Sequence, residues 1–280
     1  MTGRLDAHMH IWTMARGDYD WLTPDLGAIY RDFDIDDVWP DASAAGISRT
    51  LLVQAAATAA ETDFMLSIAE ADPRVAGVVG WVDFESPSAA AEVIRLADNP
   101  HIVGLRPMIA DLPDPDWILQ QAFTPVFDAM ARCGLVLDGH ARHDLIPVMT
   151  ELAARHPGLQ IVLNHGGKPH IAARNLGDWR EDIAALARHG NVACKLSGLL
   201  TEAGPHTDDA SIGEVVDHLG ACFGPDRLLW GSDWPVLTLA GTYAGWVSQS
   251  ERLICRRFPD HQEKIWGGNA RHIYFRNGGH

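Results

Sequence analysis

The chain has 280 residues, of which 47% are hydrophobic, and a formal net charge of −15 at pH 7. This length is enough for one large hydrophobic core, and we expect a single domain spanning residues 1–280. The negative charge, together with the lack of a basic run, argues against a protein that binds nucleic acid. Since no apolar stretch reaches about 18 residues, a membrane span is not predicted.

The four cysteines are scattered along the chain without a CxxC spacing. This pattern argues against both a disulfide framework and a cysteine zinc site. The first residues also show no apolar signal core. We therefore expect a cytoplasmic protein.

Apolar runs recur along the chain and predict eight β-strands. The runs are nearly continuous in apolar character, which is typical of parallel strands that are covered on both faces. The predicted strands cover residues 5–10, 50–55, 75–84, 102–107, 135–140, 159–165, 192–198 and 228–233.

Helical patterns lie between these strands. Ser86 and Thr124 each precede a proline, as an N-cap residue precedes a proline at the first helical position. Gly134 and Gly190 stand where C-terminal caps are expected. The helical stretches cover residues 61–71, 89–97, 145–155, 179–188, 212–222 and 243–257.

Strands that alternate with helices in this number predict an α/β fold, a (β/α)8 TIM barrel with a long loop after strand 1. A doubly wound open sheet is the alternative, but it would carry a glycine-rich phosphate loop where this chain has His8-Met9-His10. Residues 11–41 and 234–242 interrupt the alternation at the face where TIM barrels build active sites. We predict that Trp21 and Trp234 contact substrate there, whereas most other aromatic residues of the first interruption pin the loop to the barrel.

Polar residues close several of the predicted strands at the same end. His8 and His10 are two residues apart and therefore leave the same face of strand 1. The other strand-end residues are Arg106, His140, His165 and Asp233. On a parallel barrel these side chains should converge around the mouth.

Six motifs, taken together and in this order, resemble the amidohydrolase superfamily. They are Asp-Ala-His-Met-His, Gly-Leu-Arg-Pro, Asn-His-Gly-Gly-Lys-Pro, Lys-Leu-Ser-Gly, Gly-Ser-Asp-Trp-Pro and, at residues 267–270, Gly-Gly-Asn-Ala. More narrowly, the chain resembles the branch of sugar-lactone and dicarboxylate-lactone hydrolases, such as L-fuconolactonases and L-rhamnonolactonases. The resemblance covers nearly the whole chain. It implies a (β/α)8 barrel that opens lactone rings, with Asp233 as the base that activates water.

Some members of the superfamily hold two metal ions bridged by a carboxylated lysine at the end of strand 4. This chain has Arg106 there, and its three lysines lie elsewhere, so a bridged pair is not expected. The resemblance to mononuclear members implies one divalent ion, Zn²⁺ or Mn²⁺ by ligand type. Its ligands would be His8, His10, His140 and Asp233. Because relatives in the lactonase branch work without a tightly bound metal, a weakly bound or dispensable ion is the alternative. His140 departs from the branch pattern, and a substrate contact is its alternative role.

Lactone hydrolysis requires an activated water molecule and a cation or hydrogen-bond donor at the carbonyl oxygen. Asp233 would take the proton from water, while the histidine cluster or a single metal ion polarises the carbonyl group. His165 would donate a hydrogen bond to the carbonyl oxygen. Arg106 and Lys168 supply positive charge suited to a polyhydroxylated or acidic substrate. For Lys168 a salt bridge is the alternative.

Two further charged residues lie within predicted strands. The stem of Lys195 is expected to pass between helices and to bring its ammonium group to the surface. Asp138 precedes His140 by two residues and is expected to orient an imidazole ligand.

The predicted function is that of a hydrolase that opens a small lactone, with a sugar lactone as the first choice. A metal-dependent decarboxylase is the alternative, since a related branch uses a similar set of histidines and aspartate for carbon–carbon cleavage. A non-catalytic ligand-binding barrel is the third interpretation. The expected partner is a small-molecule lactone rather than nucleic acid or a membrane. The particular lactone, its ring size and the oligomeric state stay open.

Overall fold

The structure is a computed structural model that describes residues 3–275 of the chain. Eight parallel strands form one sheet in the sequential order β1 to β8. All eight predicted strands are confirmed, although every one of them ends earlier than predicted. The strands are β1 Arg4–Met9, β2 Ile47–Val53, β3 Val75–Gly80, β4 Ile102–Leu105, β5 Val136–Gly139, β6 Ile161–Leu163, β7 Val192–Leu196 and β8 Leu228–Trp230.

The sheet closes on itself at the seam between β1 and β8. The backbone N–H of His10 donates to the carbonyl oxygen of Trp234 at 2.7 Å, and the N–H of Asp233 donates to the carbonyl oxygen of His8 at 2.8 Å. The predicted (β/α)8 barrel is therefore confirmed. The seam also brings the last residues of the first and the eighth strand side by side.

Helices pack against the barrel. The described residues contain the α-helices α1 Ile35–Ala44, α2 Ala59–Ala71, α3 Ala89–Ala97, α4 Thr124–Cys133, α5 Ile146–Arg155, α6 Gly177–Leu186, α7 Asp209–Phe223, α8 Tyr243–Arg257 and α9 Asn269–Tyr274. Strands β3, β4 and β5 are buried along their whole length, as parallel strands covered by helices must be. One apolar cluster lies between strands and helices, and a second cluster of mostly small or β-branched residues fills the barrel interior.

The predicted helix ends are partly correct. Thr124 is the first residue of α4 rather than its N-cap, and Gly134 caps the same helix in the left-handed conformation, with a φ of 71°. The prediction for Ser86 is wrong, because its hydroxyl accepts the N–H of Ser88 in a turn and α3 begins only after that turn. Gly190 does not cap a helix, since α6 ends at Leu186.

The long loop after β1 is confirmed but is shorter than predicted. Helix α1 begins inside the predicted interruption, after a capping box at Asp34. The side chain of Asp34 accepts the N–H of Asp37 at 3.2 Å, and the side chain of Asp37 accepts the N–H of Asp34 at 3.0 Å. This helix is not evident from the sequence because Pro40 lies within it, and a proline inside a segment usually argues against a helix.

Across residues 3–275, no helix is both long and apolar enough to cross a membrane. All four cysteines are free thiols, as the scattered spacing predicted. The cytoplasmic location and the single domain stay predictions.

Candidate active site

Three imidazole rings converge on one carboxylate at the C-terminal mouth of the barrel. Asp233 Oδ1 lies 3.6 Å from His8 Nε2, 3.4 Å from His10 Nε2 and 3.8 Å from His165 Nε2. All four residues are at most 4% exposed. The predicted convergence of strand ends is thus present for strands 1, 6 and 8.

Two members of this cluster hold unusual backbone conformations. Asp233 has a φ of 61° and His165 a φ of 55°, in the left-handed region that residues other than glycine rarely adopt. Such strain is typically about 1–3 kcal/mol per residue, and it concentrates at functional sites. Both residues follow the ends of their strands, so this turn of the chain aims each side chain across the mouth.

The end of β1 is fixed by a buried carboxylate that sequence reasoning did not single out. Asp6 Oδ1 accepts the backbone N–H groups of His8 and Ser232, and Asp6 Oδ2 accepts the hydroxyl of Tyr243. A register irregularity falls between Asp6 and Met9, and bulges of this kind re-aim side chains beside active sites. Asp6 therefore holds His8 in place through the backbone.

The titratable groups of the cluster are in a low-dielectric environment. Burial lowers the pKa of His8, His10 and His140, and it lowers the pKa of His165 to about 3. Burial by itself would raise the pKa of Asp233, but the interactions with His165 and His10 outweigh it and lower that pKa to about 2. Near neutral pH the cluster consequently combines neutral imidazoles with one carboxylate anion.

The atoms His8 Nε2, His10 Nε2 and Asp233 Oδ1 fit a divalent metal ion. They lie within 4.8 Å of one another, at separations of 3.1, 3.4 and 3.6 Å. Metal–ligand bonds of about 2.0–2.1 Å place tetrahedral ligands roughly 3.3 Å apart, and two imidazoles with one carboxylate are a usual zinc ligand set. His140 does not belong to this group within residues 3–275, so its role as a ligand stays a prediction.

Arg106 and Gln54 connect the ends of β4 and β2 by two hydrogen bonds. The Arg106 guanidinium donates to the carbonyl oxygen of Gln54, and the Gln54 amide donates to the carbonyl oxygen of Arg106 at 2.8 Å. Arg106 is 4% exposed; burial lowers its pKa to about 10, so the group stays charged near neutral pH. Arg106 Nε and Gln54 Oε1 have no protein partner among the described residues.

Two more buried polar atoms at the mouth lack a protein partner within the described part of the chain, namely His140 Nδ1 and Asn164 Oδ1. His140 lies beside His165, with ring centroids 6.1 Å apart. A buried polar atom without a partner destabilises a fold by about 1–3 kcal/mol. These atoms are therefore well suited to receive the polar groups of a bound molecule.

Lys168 forms the salt bridge that was one of its two predicted roles. Its ammonium lies 3.0 Å from Glu202 Oε1, and its side chain is 28% exposed. Lys168 adopts a left-handed φ of 49° three residues after His165. A contact between Lys168 and substrate stays a prediction.

The two predicted aromatic contacts differ in exposure. Trp21 is 39% exposed, and its indole N–H donates to the carbonyl oxygen of Ala55 at 2.7 Å. Trp234 is 5% exposed and packs edge-on against Phe33, with ring centroids 5.1 Å apart. Trp21 thus anchors the long loop to the end of β2 and stays partly exposed, whereas Trp234 is buried against Phe33 of the same loop. Their contacts with substrate stay predictions.

The prediction for Lys195 is wrong. Its side chain is fully buried inside the barrel and contacts Asp138, because residue 195 faces the barrel axis rather than the helices. Asp138 does not contact His140 in the way that was expected. Its carboxylate instead pairs with Lys195, which lies against His8.

Besides Asp6, three contributors to the site were given no role from the sequence. Gln54 closes β2 just as Arg106 closes β4, so the same strand-end signal could have found it. Ser197 Oγ lies 2.9 Å from His165 Nδ1. Gly198 leaves room for that ring, since a Cβ at this position would lie 2.5 Å from His165 Nδ1. No spacing rule connects either residue to His165.

Known proteins resemble this chain over nearly its whole length. The amidohydrolase family profile matches residues 5–276. An L-fucono-1,5-lactonase of Burkholderia ambifaria is 43% identical over 279 residues, which cover 98% of this chain and 96% of the relative. An L-fucono-1,5-lactonase of Burkholderia multivorans is 33% identical over 283 residues, which cover 97% and 95%. The crystal structure of a Burkholderia multivorans amidohydrolase with bound zinc superposes with a TM-score of 0.91 at 33% identity, covering 97% of this chain and 99% of that one.

Proposed function

We propose that this chain, which belongs to the amidohydrolase family, hydrolyses a sugar lactone of the L-fucono-1,5-lactone class. The observation that carries the proposal is the convergence of His8, His10 and His165 on Asp233 at the barrel mouth. The relatives named as L-fucono-1,5-lactonases support the substrate class.

Asp233 acts as the general base. Its carboxylate takes one proton from a water molecule as the water oxygen attacks the lactone carbonyl carbon. The bond between that carbon and the ring oxygen then breaks, and the proton passes to the ring oxygen to give the open hydroxy acid. The neighbouring histidines lower the pKa of Asp233 and make it a weaker base than a free aspartate, so polarisation of the carbonyl group assists the attack.

The groups opposite Asp233 supply this polarisation. His165 donates a hydrogen bond from Nε2 to the carbonyl oxygen as that oxygen gains charge, while Ser197 holds the other ring nitrogen. A divalent ion held by His8, His10 and Asp233 would supply Lewis-acid polarisation and a more acidic water molecule. We propose no more than one such ion per chain, with Zn²⁺ or Mn²⁺ as candidates.

The unpartnered polar atoms at the mouth recognise the hydroxyl groups of the sugar. Arg106 Nε offers a donor and Gln54 Oε1 an acceptor, and a hydroxyl group can satisfy either. His140 Nδ1 adds a third position, which favours the substrate-contact role of His140 over the ligand role. Trp21 and Lys168, which are more exposed than these atoms, are proposed to contact the outer side of the bound ring.

The experiment is a screen of sugar lactones with a pH indicator, run beside elemental analysis of the purified protein. We expect acid release from L-fucono-1,5-lactone and its close analogues, without CO₂, and at most one divalent ion per chain. Release of CO₂ from an aromatic carboxylate would instead support the decarboxylase alternative. Binding without turnover across the panel would support a ligand-binding barrel. Two tightly held ions per chain would contradict the mononuclear assignment.

A further inference from the structure

A fully buried ion pair lies inside the barrel, directly below the histidine cluster. Lys195 on β7 and Asp138 on β5 are both 0% exposed and in contact. Asp138 also accepts hydrogen bonds from the hydroxyl of Tyr274 and, at 3.3 Å, from the amide of Asn164. Burying two charges is unfavourable unless their geometry is well satisfied, and the proposed reaction uses neither charge.

Besides Asp138, the Lys195 ammonium also contacts the ring of His8. Its Nζ lies 3.3 Å from His8 Nδ1. An ammonium group has donors and no acceptor, so His8 Nδ1 must be the acceptor in this contact. A neutral His8 ring therefore carries its proton on Nε2.

The donor-to-acceptor direction that Lys195 sets at His8 continues to the ring of His10. His8 Nε2 lies 3.1 Å from His10 Nε2, and His10 Nδ1 lies 2.7 Å from the carbonyl oxygen of Val53. A carbonyl oxygen can only accept, so His10 donates from Nδ1 and has a lone pair on Nε2. The proton on His8 Nε2 thus points at a matching acceptor, and every hydrogen bond from Lys195 to Val53 has one donor and one acceptor.

We propose that Lys195, held by Asp138 and Tyr274, is a positioning residue that fixes His8 as the Nε2–H tautomer. This inference rests on the proposed function only in placing His8 beside the reacting carbonyl group. In this tautomer the Nε2–H of His8 donates to His10 Nε2 and fixes the two rings relative to each other. It also makes His8 a poor metal ligand as the structure stands.

The tautomer of His8 also affects metal binding. A histidine that ligates a metal through Nε2 usually donates its Nδ1–H to a carboxylate or carbonyl group. Here an ammonium donor faces Nδ1 instead, so a metal-bound His8 would have two donors facing each other. Lys195 therefore weakens the binding of a divalent ion at His8, His10 and Asp233, although these three ligand atoms fit one by distance.

The first test uses the wild-type protein after treatment with a chelator. Long-range ¹H–¹⁵N correlation spectra of the histidine rings identify which nitrogen carries the proton, and a His8→Gln variant assigns the His8 signals. We expect the proton of His8 on Nε2 and that of His10 on Nδ1. A His8 proton on Nδ1 would overturn the proposal. Because this readout needs no substrate, it is independent of whether the chain hydrolyses a sugar lactone.

The second test measures Zn²⁺ affinity by competition with a chromophoric chelator. In the double variant Lys195→Gln/Asp138→Asn the net charge is unchanged, and the amide introduced at position 195 can accept a hydrogen bond from His8. We expect the Zn²⁺ dissociation constant to fall at least tenfold. The matched control is Lys264→Gln/Asp226→Asn, which removes an exposed ion pair by the same two substitutions and should leave Zn²⁺ affinity unchanged. Equal Zn²⁺ affinity in the wild type and a folded Lys195 double variant would overturn the role in metal binding, and if that variant fails to fold the wild-type spectra decide.

Discussion

Two layers of the barrel interior differ in whether their buried polar groups have protein partners. In the upper layer, at the mouth, Gln54 Oε1, Arg106 Nε and His140 Nδ1 are buried without a protein partner among the described residues. In the layer below, Asp138 and Lys195 are fully buried and paired. Buried polar groups without partners destabilise a fold, so the difference indicates that the polar atoms of the upper layer are completed by a bound molecule, whereas those of the lower layer are completed by the protein itself.

A substitution in the upper layer should reduce activity more than stability, whereas a substitution in the lower layer should reduce stability first. Asn164 belongs to both layers, because its amide donates to Asp138 at 3.3 Å while its oxygen stays unpartnered among the described residues.

The largest effect on stability is expected in the lower layer. Lys195→Met removes one partner of a buried ion pair and leaves the Asp138 charge uncompensated, so the free energy of unfolding should fall by about 3–5 kcal/mol. Urea denaturation measures this change. Lys264→Met, at an exposed ion pair, is the control and should change stability by no more than about 1 kcal/mol. Similar stability of the two variants would break the division between the layers.

The largest effect on turnover is expected at Asp233. Asp233→Asn preserves the shape of the side chain but removes the base, so kcat should fall at least about a hundredfold. Steady-state acid release measures this change, and Asp226→Asn, on the surface, serves as the control. A kcat near that of the wild type would remove Asp233 from the mechanism.

Arg106 tests substrate recognition in the upper layer. Arg106→Met retains much of the stem but loses the charged donors. For the preferred sugar lactone, kcat/KM should fall by about 1.5–3 kcal/mol in free-energy terms. A simple unsubstituted lactone, which lacks hydroxyl groups, should be hydrolysed almost as well as by the wild type. Equal losses on both substrates would assign Arg106 to the chemistry or to the scaffold.

Trp21 tests the rim of the upper layer, where the expected effect is smallest. Trp21→Phe removes the hydrogen bond to Ala55, which is worth about 0.5–1.5 kcal/mol, and loosens the long loop. For the sugar lactone, kcat/KM should therefore fall by no more than about tenfold. Tyr30→Phe, at an exposed aromatic residue of the same loop, is the control and should leave kcat/KM unchanged. No difference between the two variants would place Trp21 outside the site.

Much of the mouth could be predicted from the sequence because it depends on local order. Each parallel strand ends at the same face, so a polar residue that follows an apolar run, such as His165 or Asp233, identifies its own location. Gln54 obeys the same rule and could have been found by applying it to strand 2. Predicting the cluster did not require knowing which strands are neighbours.

The lower layer could not be predicted in the same way because it depends on distant pairs. Lys195 and Asp138 are 57 residues apart, and Tyr274 is 136 residues from Asp138. A lysine within a strand is usually assigned to the surface, and only the three-dimensional partner makes its burial favourable. Helix α1 was not predicted for a local reason. Its capping box favours a helix, but Pro40 lies within it and is unfavourable for one.

The most direct test of water attack at the carbonyl carbon is hydrolysis of L-fucono-1,5-lactone in H₂¹⁸O, followed by mass spectrometry of the product. The mechanism predicts one ¹⁸O atom in the new carboxylate for each lactone opened, at a rate that falls at least about a hundredfold in Asp233→Asn. The spontaneous reaction, measured without protein, is subtracted. Incorporation of ¹⁸O into the released ring hydroxyl, or no opening above the spontaneous rate, would contradict the assignment of Asp233 and its histidine cluster as a lactone-hydrolysing site.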